Sequence, residues 1–132
     1  VAPAAGSDYI NANLIVSPPL AASAAAAASP HPPLQQYIAC QAPLPETVED
    51  FWRMLWTQRA ACVVMLTRLR EQGKQKASAY WPESAGGSLQ AGPLLVTLVR
   101  QDSLAGGALL VRLLRLALAA ETRDLVQLHY LD

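Results

Sequence analysis

Residues 36–56, QYIACQAPLPETVEDFWRMLW, constrain the fold most, because they hold four of the chain's eight aromatic residues. QYIACQ has the composition of a strand, and the prolines in APLP predict a turn. Five apolar residues then recur with the spacing of one helix face: Val48, Phe51, Trp52, Leu55 and Trp56. We therefore predict a helix whose rings pack against a sheet as core, rather than a cofactor site lined by aromatics.

A polar motif precedes this helix. Thr47-Val48-Glu49-Asp50 has the pattern of a capping box, with a hydroxyl for the first free amides and a carboxylate three residues on. It predicts that the Thr47 side chain caps the helix.

The remaining segments predict mainly strands. Residues 17–33 combine alanines with bracketing prolines, which indicates a low-complexity loop insertion. The run at 61–68 is continuously apolar and β-branched, so it predicts a strand buried on both faces. We predict an α+β fold in which one strong helix accompanies several strands, the others at Tyr9–Ile15, 93–100 and 124–131.

Residues 109–120, LLVRLLRLALAA, allow two interpretations. As a helix, they would place Arg112 and Arg115 on one face and form a basic membrane-surface element. As a strand, they would form an apolar run with two outward arginines. The preceding Gly106-Gly107 favours the strand.

Composition excludes several classes of protein. The 132 residues suit one domain or part of one, and ten basic residues balance ten acidic ones. This neutral balance gives no case for nucleic-acid binding. No signal peptide or membrane-spanning run occurs in the sequence. Cys40 and Cys62 are too few for a disulfide framework, so reduced, buried thiols in a cytosolic protein are expected. The first residue is Val, which suggests a piece of a longer protein.

Few residues qualify for chemistry. His31 and His129 do not lie at ligand spacing to other metal-binding residues, so we predict no metal site and assign His129 a structural role. Cys62 and Arg68 satisfy C-x5-R, the spacing of a phosphate-cradling thiolate loop. The β-branched residues between them favour an extended strand instead, so we interpret this match as a decoy.

Three motifs together are more specific. SDYINANLI, QYIACQAPLPETVEDFWRMLW and VVMLTRLREQGKQKASAYWPE, in this order, strongly resemble the catalytic domain of protein tyrosine phosphatases. The likeness covers residues 8–82 apart from the alanine-rich loop, and LVQLHYLD resembles the strand that leads into the family's general-acid loop.

The resemblance implies a twisted, mixed and mostly antiparallel sheet flanked by helices. It also implies a phosphotyrosine-containing protein as partner and substrate, a cysteinyl-phosphate intermediate, and neither a metal nor another cofactor. An arginine with loop amides would hold the phosphoryl group, and an aspartic acid of a W-P-D loop would donate the proton.

The resemblance further implies that residues 1–132 are a partial catalytic domain. We expect the W-P-D loop and the H-C-x5-R nucleophile loop beyond Asp132, so this chain would hold no catalytic residue and would be inactive alone. The parent would be cytoplasmic, or the cytoplasmic domain of a receptor. The alternative is a catalytically dead, phosphatase-like module that binds proteins.

Some positions match family residues that support the site. Asn11 would brace the phosphate loop, Glu71 would orient its arginine through a bidentate pair, and Lys76 would lie near the acid loop. Six further matches are expected to be mainly structural: Tyr9, Gln41, Pro43, Trp52, Tyr80 and Trp81. Ala42 departs from the family's glycine, and Ala77 replaces a small polar residue or cysteine.

Overall fold

The computed structural model describes residues 9–16 and 36–131, which fall into two compact units divided after Gln41. In the first unit, strands β1 (Ala12–Val16) and β2 (Gln36–Cys40) pair antiparallel. The predicted first strand is therefore present, although it begins three residues later than expected. The predicted loop insertion at 17–33 lies outside the described residues.

A five-stranded sheet forms the centre of the second unit, with strand order β3-β9-β8-β7-β6. Strand β3 is parallel to β9 and the other pairs are antiparallel, so the sheet is mixed and mostly antiparallel as expected. The strand bounds are β3 Cys62–Met65, β6 Ser88–Ala91, β7 Leu94–Leu104, β8 Leu109–Leu118 and β9 Glu121–Tyr130. A short hairpin, β4 (Arg70–Glu71) and β5 (Lys74–Gln75), lies between β3 and β6 in the chain.

Helix α1 (Val48–Thr57) has the predicted face. Phe51, Trp52 and Leu55 are buried, and Val48 and Trp56 pack half-buried against the same core. The apolar residues of the sheet complete that core, which includes Leu94, Val96, Leu98, Leu114, Leu116 and Leu125. The prediction that the rings are core is confirmed.

The predicted capping box is wrong. Thr47 precedes α1 but makes no side-chain hydrogen bond to the helix. Its hydroxyl instead accepts from the Leu44 amide at 2.9 Å and closes the preceding 3-10 turn, Pro45–Thr47. Asp50 is engaged by Arg53 at 2.6 Å. The proline-containing turn before the helix therefore uses the Thr47 hydroxyl that would otherwise cap α1.

Strand β3 is not buried on both faces, contrary to the prediction. Met65 is buried, but Cys62 is exposed and Val64 is 55% exposed. Within the described residues β3 pairs with β9 alone and forms an edge of the sheet. A continuous apolar run suits such a strand equally well when only one of its faces meets the core.

Leu109–Leu118 form strand β8 rather than a membrane-surface helix, but the two arginines do not both point outward. Arg112 is only 4% exposed, whereas Arg115 is exposed and pairs with Asp124 at 2.8 Å. Side chains alternate along a strand, so residues three apart face opposite sides. In the described ranges no helix is long and apolar enough to cross a membrane.

Candidate functional site

The β4–β5 hairpin positions Glu71. Its two-residue turn, Gln72-Gly73, has positive φ at both positions, 50° and 75°, as in the turns that match the natural twist of paired strands. Glycine adopts this conformation without strain, whereas Gln72 is an unfavourable residue there. The turn fixes Glu71 at the end of β4, opposite Lys74.

The Glu71 carboxylate is half-buried and weakly held. One oxygen accepts from the Arg68 amide at 3.4 Å, a long hydrogen bond. Among the described residues Glu71 forms no ion pair. An open depression of about 390 Å³ adjoins it and is lined by Leu66, Arg68, Arg70, Glu71 and Gln72. A guanidinium could reach the carboxylate from this side and bind it through two parallel hydrogen bonds.

Lys76 follows the hairpin directly. Its backbone amide donates to the Leu69 carbonyl at 2.8 Å, which ties the end of the hairpin to its start. The Lys76 side chain is exposed. The hairpin therefore brings Glu71 and Lys76 into one short structural element without a contact between their side chains.

Asn11 lies in the first unit, where its side-chain Nδ2 donates to the side-chain Oε1 of Gln41 at 3.1 Å. Both residues are exposed, and the neighbouring Tyr9 is 72% exposed. This bond joins two of the positions identified from the sequence and crosses between the segments that carry β1 and β2.

The other matched positions meet in the core of the second unit. The Trp52 indole donates to the Tyr80 carbonyl at 2.7 Å, and the rings of Tyr80 and Trp81 lie edge-to-face with centroids 4.8 Å apart. Pro43 is buried, and its carbonyl accepts from the Ser78 amide at 3.1 Å. These contacts join the helix segment to the tyrosine-tryptophan segment.

A buried polar cluster around Arg112 was missed by the sequence analysis. Its Nε donates to Gln101 Oε1 at 2.6 Å and its Nη1 donates to Gln127 Oε1 at 2.9 Å. The guanidinium also lies over the Trp81 ring, 4.4 Å from its centroid. Strict alternation along the strand, Arg112-Leu114-Leu116, was the available signal, since it places Arg112 with the core leucines.

His129 belongs to the same cluster, consistent with a structural role. Its Nδ1 lies 3.2 Å from Arg112 Nη1, and its Nε2 lies 2.9 Å from the Thr67 carbonyl oxygen. Burial lowers the pKa of His129, and the nearby Arg112 charge lowers it further, while the bond to Thr67 acts in the opposite sense. The imidazole is therefore neutral at pH 7.

Neither cysteine is buried as predicted. Cys40 and Cys62 are exposed free thiols, because each lies on a strand face that the described residues leave uncovered. Even so, partial desolvation of the sulfur raises the pKa of both thiols. Cys62 begins an extended strand rather than a curled loop, as the β-branched residues after it predicted, and the decoy interpretation stays a prediction. In the part of the chain that the structure describes, no cluster of His, Cys, Asp or Glu could hold a metal ion.

Comparison with known proteins agrees with this architecture. The family model described as protein-tyrosine phosphatase matches residues 2–132. The rat receptor-type tyrosine-protein phosphatase F is 41% identical over 126 residues, which are 96% of this chain and 6% of that protein. Tyrosine-protein phosphatase 1 of Dictyostelium discoideum is 37% identical over 95% of this chain and 23% of its own length.

Solved structures give the same result. The catalytic domain of human protein tyrosine phosphatase non-receptor type 18 is similar with a TM-score of 0.79 and 31% identity, over 97% of this chain and 40% of that one. A complex of the same phosphatase with HER2-pY1196 phosphopeptides has a TM-score of 0.77.

The chain belongs to the protein-tyrosine phosphatase family. It spans less than a quarter of the relatives named above and two-fifths of the similar catalytic domain.

Proposed function

We propose that the protein containing this chain is a protein tyrosine phosphatase and that these residues form part of the framework of its catalytic domain. Its substrates would be proteins that carry phosphotyrosine. The similar phosphatase in complex with phosphotyrosine peptides supports this substrate class. The reaction would proceed through a cysteinyl-phosphate intermediate that water hydrolyses.

One observation carries the proposal: the hairpin presents the Glu71 carboxylate beside an open depression, where only a long hydrogen bond engages it. A carboxylate in this state can hold an arginine in a fixed orientation through a bidentate pair. Such an arginine, on a phosphate-binding loop, would be aligned to bind the phosphoryl oxygens. Glu71 would therefore be a positioning residue.

Asn11 and Lys76 have supporting roles in the proposal. The bond from Asn11 to Gln41 uses the side-chain nitrogen of Asn11. Among the described residues nothing donates to its side-chain oxygen Oδ1, which could accept a hydrogen bond that braces a loop. Lys76 would contribute a positive charge near the general acid. Because its side chain is exposed, we expect that contribution to be small.

We propose further that residues 1–132 do not turn over substrate by themselves. The sequence contains no H-C-x5-R motif, since its one C-x5-R match follows Ala61 instead of a histidine, and that match begins on β3. A cytoplasmic location, as a separate protein or as part of a receptor, fits the two free thiols.

The test compares phosphate release by the full-length protein from a phosphotyrosine peptide and from the matching phosphoserine peptide. Glu71→Ala should lower kcat/KM for the phosphotyrosine peptide about 10- to 100-fold, because the arginine loses its orientation. Glu83→Ala, which alters an exposed glutamate of the following loop, is the matched control and should leave the rate unchanged. If the full-length protein binds the peptide without releasing phosphate, it is the binding module instead.

A further inference from the structure

The buried guanidinium of Arg112 contacts the end of strand β9 through Gln127 and His129, and its hydrogen-bond partners are neutral. Arg112 contacts two amide oxygens, one imidazole nitrogen and the face of one indole ring. Among the described residues no carboxylate pairs with it. A buried charge without a counter-ion depends on every one of these acceptors, because losing any of them leaves part of its desolvation uncompensated.

The hydrogen bonds fix the tautomer of His129. A carbonyl oxygen can only accept, so His129 Nε2 carries the hydrogen that points to Thr67. Arg112 Nη1 can only donate, so His129 Nδ1 must accept and remain unprotonated. A proton taken up at Nδ1 would replace this hydrogen bond with two positive groups about 3.2 Å apart.

The described surroundings offer no carboxylate to offset that repulsion. The segment after β3 contributes a backbone carbonyl, and β7 contributes a neutral amide. Arg100 and Asp102 flank Gln101 in sequence, pair with each other and are largely exposed, so they lie away from the cluster. Thr67, Trp81, Gln101 and Gln127 contact Arg112 or His129 directly. Met65 and the Tyr80 hydroxyl lie behind them, in contact with Gln127. The Tyr80 phenol is the titratable group of this set, and its interaction with Arg112 raises the pKa of the guanidinium, against the larger effect of burial.

The cluster connects two segments. Trp81 lies under the Arg112 guanidinium and meets the His129 ring edge-to-face, with centroids 5.6 Å apart. His129 is the next-to-last residue of β9 and also bonds to the segment after β3. Any change in the charge of His129 therefore acts at once on Trp81 and on the end of β9.

We propose that Arg112 and His129 form a proton-sensitive latch, which holds Trp81 and the end of β9 in place while His129 is neutral and releases them when His129 takes a proton. The lowered pKa of His129 agrees with a latch that opens on acidification. Burial and then Arg112 lower it below the ordinary value near 6.5, so the unfolded or opened state binds the proton more readily. The latch is fully closed above about pH 6.5 and weakens as pH falls from there toward the lowered pKa of the closed state.

Hydrogen exchange of the full-length protein, followed by mass spectrometry at pH 7.5 and 5.5 and corrected for intrinsic rates, tests the latch without any need for turnover. Peptides covering 77–82 and 121–131 should lose protection at pH 5.5, by up to about tenfold, which is the limit for one group one pH unit below its free pKa. A peptide covering 88–98, in β6 and β7, should not change. Uniform loss across all three regions, or no loss, would overturn the proposal.

A variant that cannot titrate isolates His129. In His129→Gln, the side-chain oxygen can accept from Arg112 and the amide can donate to Thr67, but the residue takes no proton at pH 5.5. We expect protection at pH 7.5 to be kept and the acid response to disappear. Asp124→Asn, an exposed change on the same strand, is the control and should keep the acid response.

Removing the cation gives a second measurement if His129→Gln does not fold. Arg112→Met leaves His129 buried but without its positive neighbour. Because burial is the larger cause of the lowered pKa of His129, the difference in protection between pH 7.5 and 5.5 should shrink without disappearing. An acid response as large in Arg112→Met as in the unchanged protein would contradict the latch.

Discussion

The Trp52 indole Nε1 donates a 2.7 Å hydrogen bond to the Tyr80 carbonyl, across 28 residues of sequence. Trp52 is fully buried, and its ring and that of Tyr80 also lie 6.0 Å apart between centroids. The bond joins the helix to the tyrosine-tryptophan segment that supports Arg112 and His129. It makes Trp52 a structural link as well as a core residue.

Trp52→Phe should destabilise the protein by about 2–4 kcal/mol, because it leaves a cavity and removes the partner of a buried carbonyl. Urea unfolding measures the change. Trp56→Phe is the matched control. Trp56 is half-buried and stacks on Arg123 at 3.8 Å, so its replacement should cost about 1 kcal/mol or less. Equal costs for the two variants would refute the assigned link.

Two substitutions in the β4–β5 turn should change the stability of the hairpin in opposite directions. Gly73→Ala should cost about 1 kcal/mol through backbone conformation alone, because no atom lies within 4 Å of the added methyl group. Gln72→Asn should stabilise the hairpin by a few tenths of a kcal/mol, since asparagine tolerates positive φ better. Hydrogen exchange of residues 68–76 reports both changes. If Gly73→Ala and Gln72→Asn move it the same way, the turn has been misassigned.

Cys62 should be dispensable for catalysis. Its raised pKa keeps the thiol protonated at neutral pH, and its strand cannot curl around a phosphate. Cys62→Ser in the full-length protein should therefore leave phosphate release from a phosphotyrosine peptide unchanged. The 132 residues alone should release none. Cys62-dependent release by that segment would overturn the decoy interpretation.

The edge of the sheet at β3 should make residues 1–132, when isolated, self-associate. Val64 and Leu66 are 55% and 73% exposed there, beside an edge that has open hydrogen-bonding groups in the described part of the chain. Sedimentation should show concentration-dependent assembly. Val64→Lys should reduce it, and Leu104→Lys, at an exposed apolar position outside β3, should not. A monomer with a concentration-independent melt would contradict this.

Sequence periodicity predicted where helices and strands form better than it predicted their burial and their hydrogen bonds. The helix face from Val48 to Trp56 and the strand at 109–120 were both correct, because a buried face repeats along many residues. The burial of β3 was wrong because an apolar run does not reveal which neighbours cover it. The Thr47 cap was wrong because a local proline turn competed for the hydroxyl.

The candidate site was harder to predict than the core. The resemblance singled out Glu71 and Lys76, and the structure places them in one hairpin, although nothing in the sequence pattern predicted the hairpin itself. The Arg112 cluster is formed by residues of different strands that only register brings together, such as Gln101 and Gln127 opposite Arg112. Such pairings are a tertiary property that no single segment encodes.

The parallel pairing of β3 with β9 has a consequence for the order of assembly. Thr67 and His129, which join at this pairing, are 62 residues apart, whereas β6 to β9 are linked by short turns. Local pairs close faster than distant ones, so we expect the β6–β9 meander to fold first and β3 to join last. During synthesis, α1 leaves the ribosome before the β6–β9 meander against which its aromatic face packs, so we expect that face to stay exposed until those strands have formed.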